Sequence, residues 1–154
     1  MYEDQEFADD VIRRIAEAGH LTASASNGQP WHFIVVRERP RLQKLGSLLR
    51  TGPYVARAAA AVIVAYEKDH RLGISDASRA IQSMILTAWG EGVGSNWTGF
   101  GGLANVGNEF GVPDTYDVLG VVPLGYPTRK VVGKKSRKPF NQVVSAERFG
   151  SPLT

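Results

Sequence analysis

The sequence contains no cysteine and only three histidines among its 154 residues. The absence of cysteine excludes disulfide bonds, thiolate metal sites and cysteine nucleophiles. The three histidines have no metal-ligand spacing, so we predict no metal site. The P-loop and the G-x-S-x-G nucleophile motif are missing as well. Because recognisable acids, bases and nucleophiles are scarce, we expect a bound cofactor to supply any difficult chemistry, with no catalytic residue of the chain's own.

The chain also lacks a long apolar run. Its longest, residues 58–66, is far too short to span a bilayer. The acidic N-terminus does not have the pattern of a signal peptide. With 43% hydrophobic and 21% charged residues, the composition is that of a globular protein. We therefore predict a single cytoplasmic domain over residues 1–154, not bound to a membrane, whose residues 129–154 form a basic C-terminal segment and arm.

The net charge of +3 is too small to indicate a nucleic-acid partner by itself. Its distribution is uneven, since six cations cluster near the C-terminus: Arg129, Lys130, Lys134, Lys135, Arg137 and Lys138. Such a cluster is typical either of a solvated tail or of an anion site, most simply for a phosphate. A nucleic-acid groove would need interleaved aromatic side chains, and Phe140 is the only candidate. We therefore expect no nucleic acid among the partners.

Periodicity and turn signals predict an α+β fold with no internal repeat. Helices are predicted at about residues 6–19 (with Phe7 on the apolar face), 40–52, 75–90 and 103–110, and strands at about 31–37, 61–66, 93–97 and 116–126. The 75–90 helix is apolar around most of its surface, which indicates burial or a subunit interface. Pro123 favours an edge position or a bulge in the last strand. Residues 140–149 are predicted to form an extended arm.

Residues 22–31, TASASNGQPW, form the most informative stretch. Small side chains would let a flat ligand lie close to the backbone, and Asn27-Gly28 is a turn signal because both residue types tolerate positive φ. Pro30 ends any helix and favours an extended conformation at Gln29. The stretch is either a plain helix-to-strand connection or a binding loop that uses backbone and amide groups.

The order of these features resembles the FMN-dependent nitroreductase family. The 22–31 stretch is similar to the family's small-residue loop ending in N-x-Q-P-W, and residues 76–97 to its long central helix and G-x-G-S-x-W turn. Residues 111–113 (GVP), 124–127 (LGYP) and 135–139 (KSRKP) resemble three later signposts. The resemblance covers about residues 11–144 in the family's order.

The resemblance implies a central mixed, mainly antiparallel sheet flanked by helices, in a homodimer whose interface contains the long helix. It implies FMN bound between the subunits and touched by both. The implied activity is an NAD(P)H oxidoreductase that reduces small-molecule acceptors such as nitroaromatic compounds or quinones by a ping-pong mechanism.

The resemblance also implies cofactor contacts at three places in this chain. Ser24, Ser26 and Asn27 would line the flavin ring and ribityl chain, with Gln29 either beside them or anchoring the loop. Thr98 and Gly99 would present backbone N–H groups to the N5 and O4 edge, where negative charge develops on reduction. Lys135 and Arg137 would hold the phosphate.

One departure from the family pattern concerns the phosphate. Family members open with a basic R-x-S-x-R-like segment before the first helix, whereas the first nine residues here include four acidic residues and no basic one. Arg13 and Arg14 lie inside the predicted first helix and do not match that motif. An alternative interpretation follows, in which the chain is a non-catalytic protein that binds flavin or another anionic ligand on the same fold.

Overall fold

The computed structural model describes residues 2–3, 5–6, 8–129 and 135–153. Its centre is a four-stranded sheet in the order β1-β2-β4-β3, and every pairing between these strands is antiparallel. The strands are β1 (Trp31–Val36), β2 (Ala60–Glu67), β3 (Gly94–Ser95) and β4 (Tyr116–Gly125). The helices are α1 (Asp9–His20), α2 (Arg39–Leu48), α3 (Gly73–Gly90) and α4 (Leu103–Glu109). The predicted α+β class, with a mainly antiparallel sheet and flanking helices, is confirmed.

Strand β2 is buried on both faces, because helices cover the sheet on both sides. Alternate residues along β2 point to opposite faces. Val62 and Val64 pack in a core with α1 and α3, whereas Ala61 and Ile63 pack in a second core with α2 and α4. The continuous apolar sequence of this strand therefore reflects its central place between two layers.

Helices α1 and α3 pack closely at Gly19. A Cβ on this glycine would lie 3.1 Å from the Met84 side chain, so a larger residue would push the helices apart. Arg14 bridges the same pair of elements through a two-pronged contact with Glu91, with the Nε to Oε1 distance at 2.7 Å. Helix α1 begins at Asp9, later than predicted, and Phe7 lies outside the described residues.

Pro123 lies inside the sheet, so the predicted edge position is wrong for β4. The β3–β4 register joins Gly94 to Gly125 and, beyond a gap, Thr98 to Val121. By this register Pro123 lies opposite Asn96, where the ladder would need an N–H that proline lacks. The missing donor therefore opens the β3–β4 pairing at Asn96.

The C-terminal segment, residues 135–153, differs from its prediction. Phe140–Gln142 forms a single 3₁₀ turn. Further on, Glu147 and Gly150 have positive φ, and the Ala146 N–H donates to Ser151 O at 2.9 Å. The chain turns back on itself here, so the prediction of an extended arm over residues 140–149 is wrong.

Candidate functional site

The loop formed by residues 22–29 joins α1 to β1 and has an unusual backbone. It contains the 3₁₀ turn Ala25–Asn27 and three non-glycine residues with left-handed φ, namely Ser26 (50°), Asn27 (54°) and Gln29 (50°). Such conformations cost about 1–3 kcal/mol each and persist only where the surroundings hold them. The prediction of a turn at Asn27-Gly28 is confirmed, although Gly28 itself has an ordinary φ of −67°.

Gly28 is required by a close approach rather than by its dihedral angles. A Cβ at this position would lie 2.7 Å from Nε2 of His70. The His70 side chain is fixed on its other side, where Nδ1 accepts the Leu72 N–H at 3.3 Å. The segment between β2 and α3 therefore packs directly against the tip of the 22–29 loop.

Hydrogen bonds within the 22–29 loop stabilise its left-handed residues. Ser24 Oγ accepts the Gln29 N–H at 2.9 Å, and Ser24 O accepts the Asn27 N–H at 3.1 Å. Gln29 Nε2 donates to Asn27 O at 3.1 Å. The Gln29 side chain thus anchors the loop, while Ser26, Asn27 and Gln29 remain exposed to solvent and Ser24 is half-buried.

Two contacts attach the 22–29 loop to α3. The Ala25 N–H donates to Oδ2 of the fully buried Asp76 at 3.1 Å. Thr22 Oγ1 lies 2.9 Å from Ser83 Oγ and 2.9 Å from Ala18 O. Burial would raise the pKa of Asp76, but hydrogen bonds from Arg79 and Ala25 outweigh it, so the pKa lies below its usual value. Asp76 is therefore a charged acceptor beneath the loop.

The second predicted part of the site, Thr98 and Gly99, follows β3. The Thr98 N–H donates to Val121 O at 2.9 Å and its C=O accepts the Val121 N–H at 2.8 Å. The N–H of Thr98 is thus not available for the donor role predicted for it, whereas Gly99 as a donor stays a prediction. The buried Thr98 Oγ1 has no hydrogen-bond partner among the described residues, and it packs so closely on Gly52 that a Cβ there would lie 2.9 Å away.

An apolar groove of about 480 Å³ opens beside Gly99. Trp97, Phe100 and Leu119 complete its lining. The indole of Trp97 lies over Gly120, where a Cβ would be 2.3 Å from Nε1, so only glycine allows this placement. Sequence reasoning assigned Trp97 to packing and did not find Phe100 or Leu119 as groove residues.

A second, more polar groove of about 370 Å³ is lined in part by β3 itself. Tyr54, Arg57 and Asn96 line it together with Tyr2, Gly94, Ser95 and Pro127. Asn96 Nδ2 donates to the Tyr54 hydroxyl at 2.6 Å. Burial, followed by the neighbouring Tyr54, raises the pKa of Tyr2 to about 12. Tyr54 and Arg57 carry no motif that sequence reasoning could have used, since only the fold brings them to this groove.

The third predicted part, Lys135 and Arg137, is exposed to solvent. Arg137 Nη1 donates to the carbonyl of the adjacent Ser136 at 2.8 Å. In the described part of the chain, no hydrogen bond or ion pair joins either cation to the 22–29 loop or to Gly99. Lys130 and Lys134, also assigned to the basic cluster, lie outside the described residues. Among the described residues, the predicted phosphate contacts are therefore not bonded to the loop.

Helix α3 carries large apolar side chains on its solvent side. Leu86 is 61% exposed and Trp89 is 65% exposed, and Ile74 is exposed near the start of the helix. Ala77, Ile81 and Met84 are buried on the opposite side. The helix is thus apolar nearly all round, but none of the described residues covers the face that carries Leu86 and Trp89.

The described residues contain no cluster of three or more histidine, cysteine, aspartate or glutamate side chains that could hold a metal ion. None of the described helices is long and apolar enough to cross a membrane.

The family is defined by sequence comparison. A model described as "Nitroreductase family" matches residues 1–68 and 47–126. A protein of Archaeoglobus fulgidus, named provisionally as an NADH dehydrogenase/NAD(P)H nitroreductase, is 34% identical over 82% of this chain and 78% of its own length. A protein of Methanothermobacter thermautotrophicus with the same name is 35% identical over 82% of this chain and 70% of its own length. The chain belongs to the nitroreductase family.

Solved structures agree with this assignment. A nitroreductase-family structure from Parabacteroides distasonis has a TM-score of 0.87 at 26% identity, covering 96% of this chain and 90% of that one. A structure from Desulfovibrio desulfuricans, described as a nitroreductase in complex with FMN, has a TM-score of 0.84 at 27% identity, with the same coverage of 96% and 90%. An FMN-dependent nitroreductase from Clostridium difficile shares the fold, with a TM-score of 0.88 at 24% identity over 96% of this chain and 92% of that one. The class of protein is thus an oxidoreductase of the nitroreductase fold.

Proposed function

We propose that this protein is a homodimeric, FMN-dependent NAD(P)H oxidoreductase that reduces nitroaromatic compounds, quinones or similar acceptors. The names of its relatives support the reaction class, and the FMN complex of the Desulfovibrio structure supports the cofactor. The observation that carries the proposal is the 22–29 loop. Three exposed, left-handed, non-glycine residues are costly to maintain, and folds keep such strain where a ligand is bound.

The grooves beside β3 fit a flavin in size and chemistry. The apolar groove beside Gly99, about 480 Å³ in volume, is within the range typical of cofactor sites. Trp97, Phe100 and Leu119 give it the apolar walls that a flat aromatic ring needs. The polar groove next to it offers the Tyr54 hydroxyl and the Arg57 guanidinium, which suit the polar end of a ring or a phosphate.

In this proposal six of the eight predicted residues have a defined task at the cofactor. The backbone around Ser24, Ser26 and Asn27 lies against the ring and ribityl chain, because small side chains leave that surface open. The Gly99 N–H stabilises negative charge at the ring edge. Lys135 and Arg137 bind the phosphate, and the planar guanidinium of Arg137 can do so through two hydrogen bonds.

Bound FMN would supply the redox chemistry, the transfer of a hydride equivalent from NAD(P)H to the acceptor. The chain's own task is to bind and orient. Protons for the reduced acceptor come from solvent in the open pocket, so the reaction needs no acid or base from the protein. This agrees with a site region in which we assign no catalytic side chain.

The homodimer is proposed from the uncovered face of α3. Leu86 and Trp89 would be buried against a second copy, and exposed apolar patches of this kind mark interaction sites. Replacing Leu86 with Glu should convert the protein to a monomer in light scattering, whereas Gln43→Glu on the exposed side of α2 should leave a dimer. A wild-type monomer that binds FMN normally would contradict this part of the proposal.

The activity is tested with FMN-loaded protein by following NADH or NADPH oxidation with menadione or a nitrobenzoate as acceptor. We expect turnover with parallel double-reciprocal lines, the pattern of a ping-pong reaction. NAD(P)H oxidation no faster than with free FMN would overturn the activity. FMN binding without turnover would instead indicate a non-catalytic flavin-binding protein.

A further inference from the structure

Asp76 is a buried carboxylate that the proposed reaction leaves without a task. Its side chain is 0% exposed, and Asp76 and Thr98 are the buried polar residues of the described chain. A buried charge is costly unless it is well paired. Because burying this carboxylate costs free energy, its position in the fold requires a specific explanation.

The two carboxylate oxygens of Asp76 have different partners. Oδ1 pairs with Arg79, one helical turn later on α3. Oδ2 accepts the Ala25 N–H at 3.1 Å. Ala25 is the first residue of the 3₁₀ turn in the 22–29 loop, and no side chain of the loop itself caps that turn. Asp76 therefore caps the turn from another element of the fold.

A second contact shows that the loop follows the surface of α3. Thr22 lies against Ser83, which is seven residues beyond Asp76 and hence on the same helix face. The loop is thus attached to α3 at its beginning and at its turn. The left-handed residues Ser26, Asn27 and Gln29 come directly after the second attachment.

A purely structural role for Asp76 is the alternative. An acidic residue in the first turn of a helix is favourable, and its ion pair with Arg79 also stabilises the helix. Arg79 is half-exposed, however, so this pair does not require Asp76 to be buried. The contact with Ala25 accounts for the burial of Asp76, because the loop backbone lies over its carboxylate.

We propose that Asp76 is a positioning residue for the cofactor, which holds the 22–29 loop in its binding conformation by accepting the Ala25 N–H. The proposal rests on the proposed function, in which this loop lies against FMN. It assigns to α3 a second task besides the subunit interface, since the helix that would pair the subunits also fixes the loop.

The test uses full-length protein and three variants of this contact. Asp76→Ala removes the acceptor, Asp76→Asn keeps one carbonyl acceptor without the charge, and Arg79→Met removes the ion pair but keeps the carboxylate. Glu91→Gln is the matched control, because it breaks the Arg14 contact at the end of the same helix without touching the loop. Two measurements are made: the FMN dissociation constant from quenching of flavin fluorescence, and amide hydrogen exchange of residues 22–29 in cofactor-free protein.

Asp76→Ala should raise the FMN dissociation constant about ten- to a hundredfold, the equivalent of one lost hydrogen bond to a charged group. It should also speed exchange across residues 25–29 in the cofactor-free protein. Asp76→Asn should keep most of the wild-type FMN affinity and most of the wild-type protection from exchange. Arg79→Met should be close to wild type in both measurements. Glu91→Gln should lower the melting temperature without changing either measurement at the loop.

The proposal is overturned if Asp76→Ala keeps both wild-type affinity and wild-type exchange, or if Glu91→Gln weakens FMN binding equally. If wild-type protein does not bind FMN, the proposed function fails. The exchange measurement still decides on Asp76 in that case, because it needs no cofactor.

Discussion

The 22–29 loop and the C-terminal segment are attached to the rest of the chain in opposite ways. The loop is fixed by Ser24 from within and by Asp76 and Ser83 from α3, and His70 packs against its tip. Lys135 and Arg137, by contrast, are exposed, and Arg137 bonds only the adjacent carbonyl among the described residues. The resemblance predicts cofactor contacts in both regions, yet the interior of the fold holds only the loop in place.

Because the two regions are attached differently, we expect substitutions in them to affect different properties, namely the stability of the fold and the affinity for the cofactor. Changes at elements that contact the loop or the grooves should alter folding, because their neighbours are buried. Changes at exposed cations should leave folding unaltered, since surface charges contribute little to stability. Exposed cations remain free to bind an anion, so their effect should appear in cofactor affinity alone.

The largest expected effect is at Gly102, which follows the groove residues Gly99 and Phe100. Gly102 has a φ of 86°, and a Cβ there would lie 2.1 Å from Leu48 O. Gly102→Ala should therefore lower the free energy of unfolding by about 2–5 kcal/mol, from strain and overpacking together. Urea denaturation measures this loss.

Gly150→Ala is the matched control for Gly102→Ala. Gly150 has a similar φ of 85°, but no atom lies within 4 Å of the added Cβ. This variant should lose only about 1–2 kcal/mol, the cost of the left-handed backbone alone. Equal losses at the two positions would show that the C-terminal segment is as tightly held as the groove.

The next effect concerns the exposed cations. Lys135→Ala combined with Arg137→Ala should weaken FMN binding about ten- to a hundredfold, since charge-assisted bonds to the phosphate are lost. The melting temperature should not change. Calorimetric titration with FMN and with riboflavin distinguishes the phosphate contribution, because riboflavin lacks the phosphate and should bind both proteins equally. Arg148→Ala is the control, and a similar loss there would indicate only a general charge effect.

A smaller effect is the pH dependence of stability at Asp76. Its pKa is lowered in the folded protein, so it stabilises the fold above the unfolded value of about 3.9 and loses that contribution as the pH falls through the folded pKa. Asp76→Asn should lower stability by about 1 kcal/mol at pH 7, with the difference from wild type shrinking towards pH 3. Melting curves from pH 3 to 7 measure this, and a difference that grows in acid would contradict it.

The smallest effect is at Thr22, the first attachment of the loop to α3. Thr22→Val removes the hydroxyl near Ser83 and Ala18, and should cost about 0.5–1.5 kcal/mol. Thr51→Val is a control of the same chemistry, since the Thr51 hydroxyl bonds Phe100 O in the groove segment. Only Thr22→Val should speed amide exchange in residues 25–29.

Local sequence patterns predicted the helices and strands well, because their apolar periodicity is strong. The observed structure differs from the predicted one where a contact with a residue distant in sequence determines it. Pro123 indicated an edge or a bulge, yet it lies on an inner strand of the sheet, where its missing N–H interrupts the pairing with β3 at Asn96. Residues 140–149 have weak alternation, and positive φ at Glu147 and Gly150 turns them back.

The candidate site was predictable as a set of motifs but not as a set of contacts. The turn at Asn27 was predictable from residue type. Its contacts with Asp76 and His70 were not, because these residues lie about forty to fifty positions away in the sequence. The pairing of the Thr98 N–H with Val121 is likewise a long-range contact, which no local motif reveals. Tyr54 and Arg57 reach the groove only because a 3₁₀ turn, Pro53–Arg57, precedes β2.

The central claim is that this chain forms an FMN site from a rigid loop and exposed cations. Titration of cofactor-free protein with FMN, followed by flavin absorbance and fluorescence, tests it most directly. The account predicts saturable binding of one FMN per chain, weakened by Asp76→Ala and by the Lys135 and Arg137 replacements but unchanged in Glu91→Gln and Arg148→Ala. Flavin absorbance and fluorescence that stay those of free FMN when wild-type protein is titrated with FMN would contradict it.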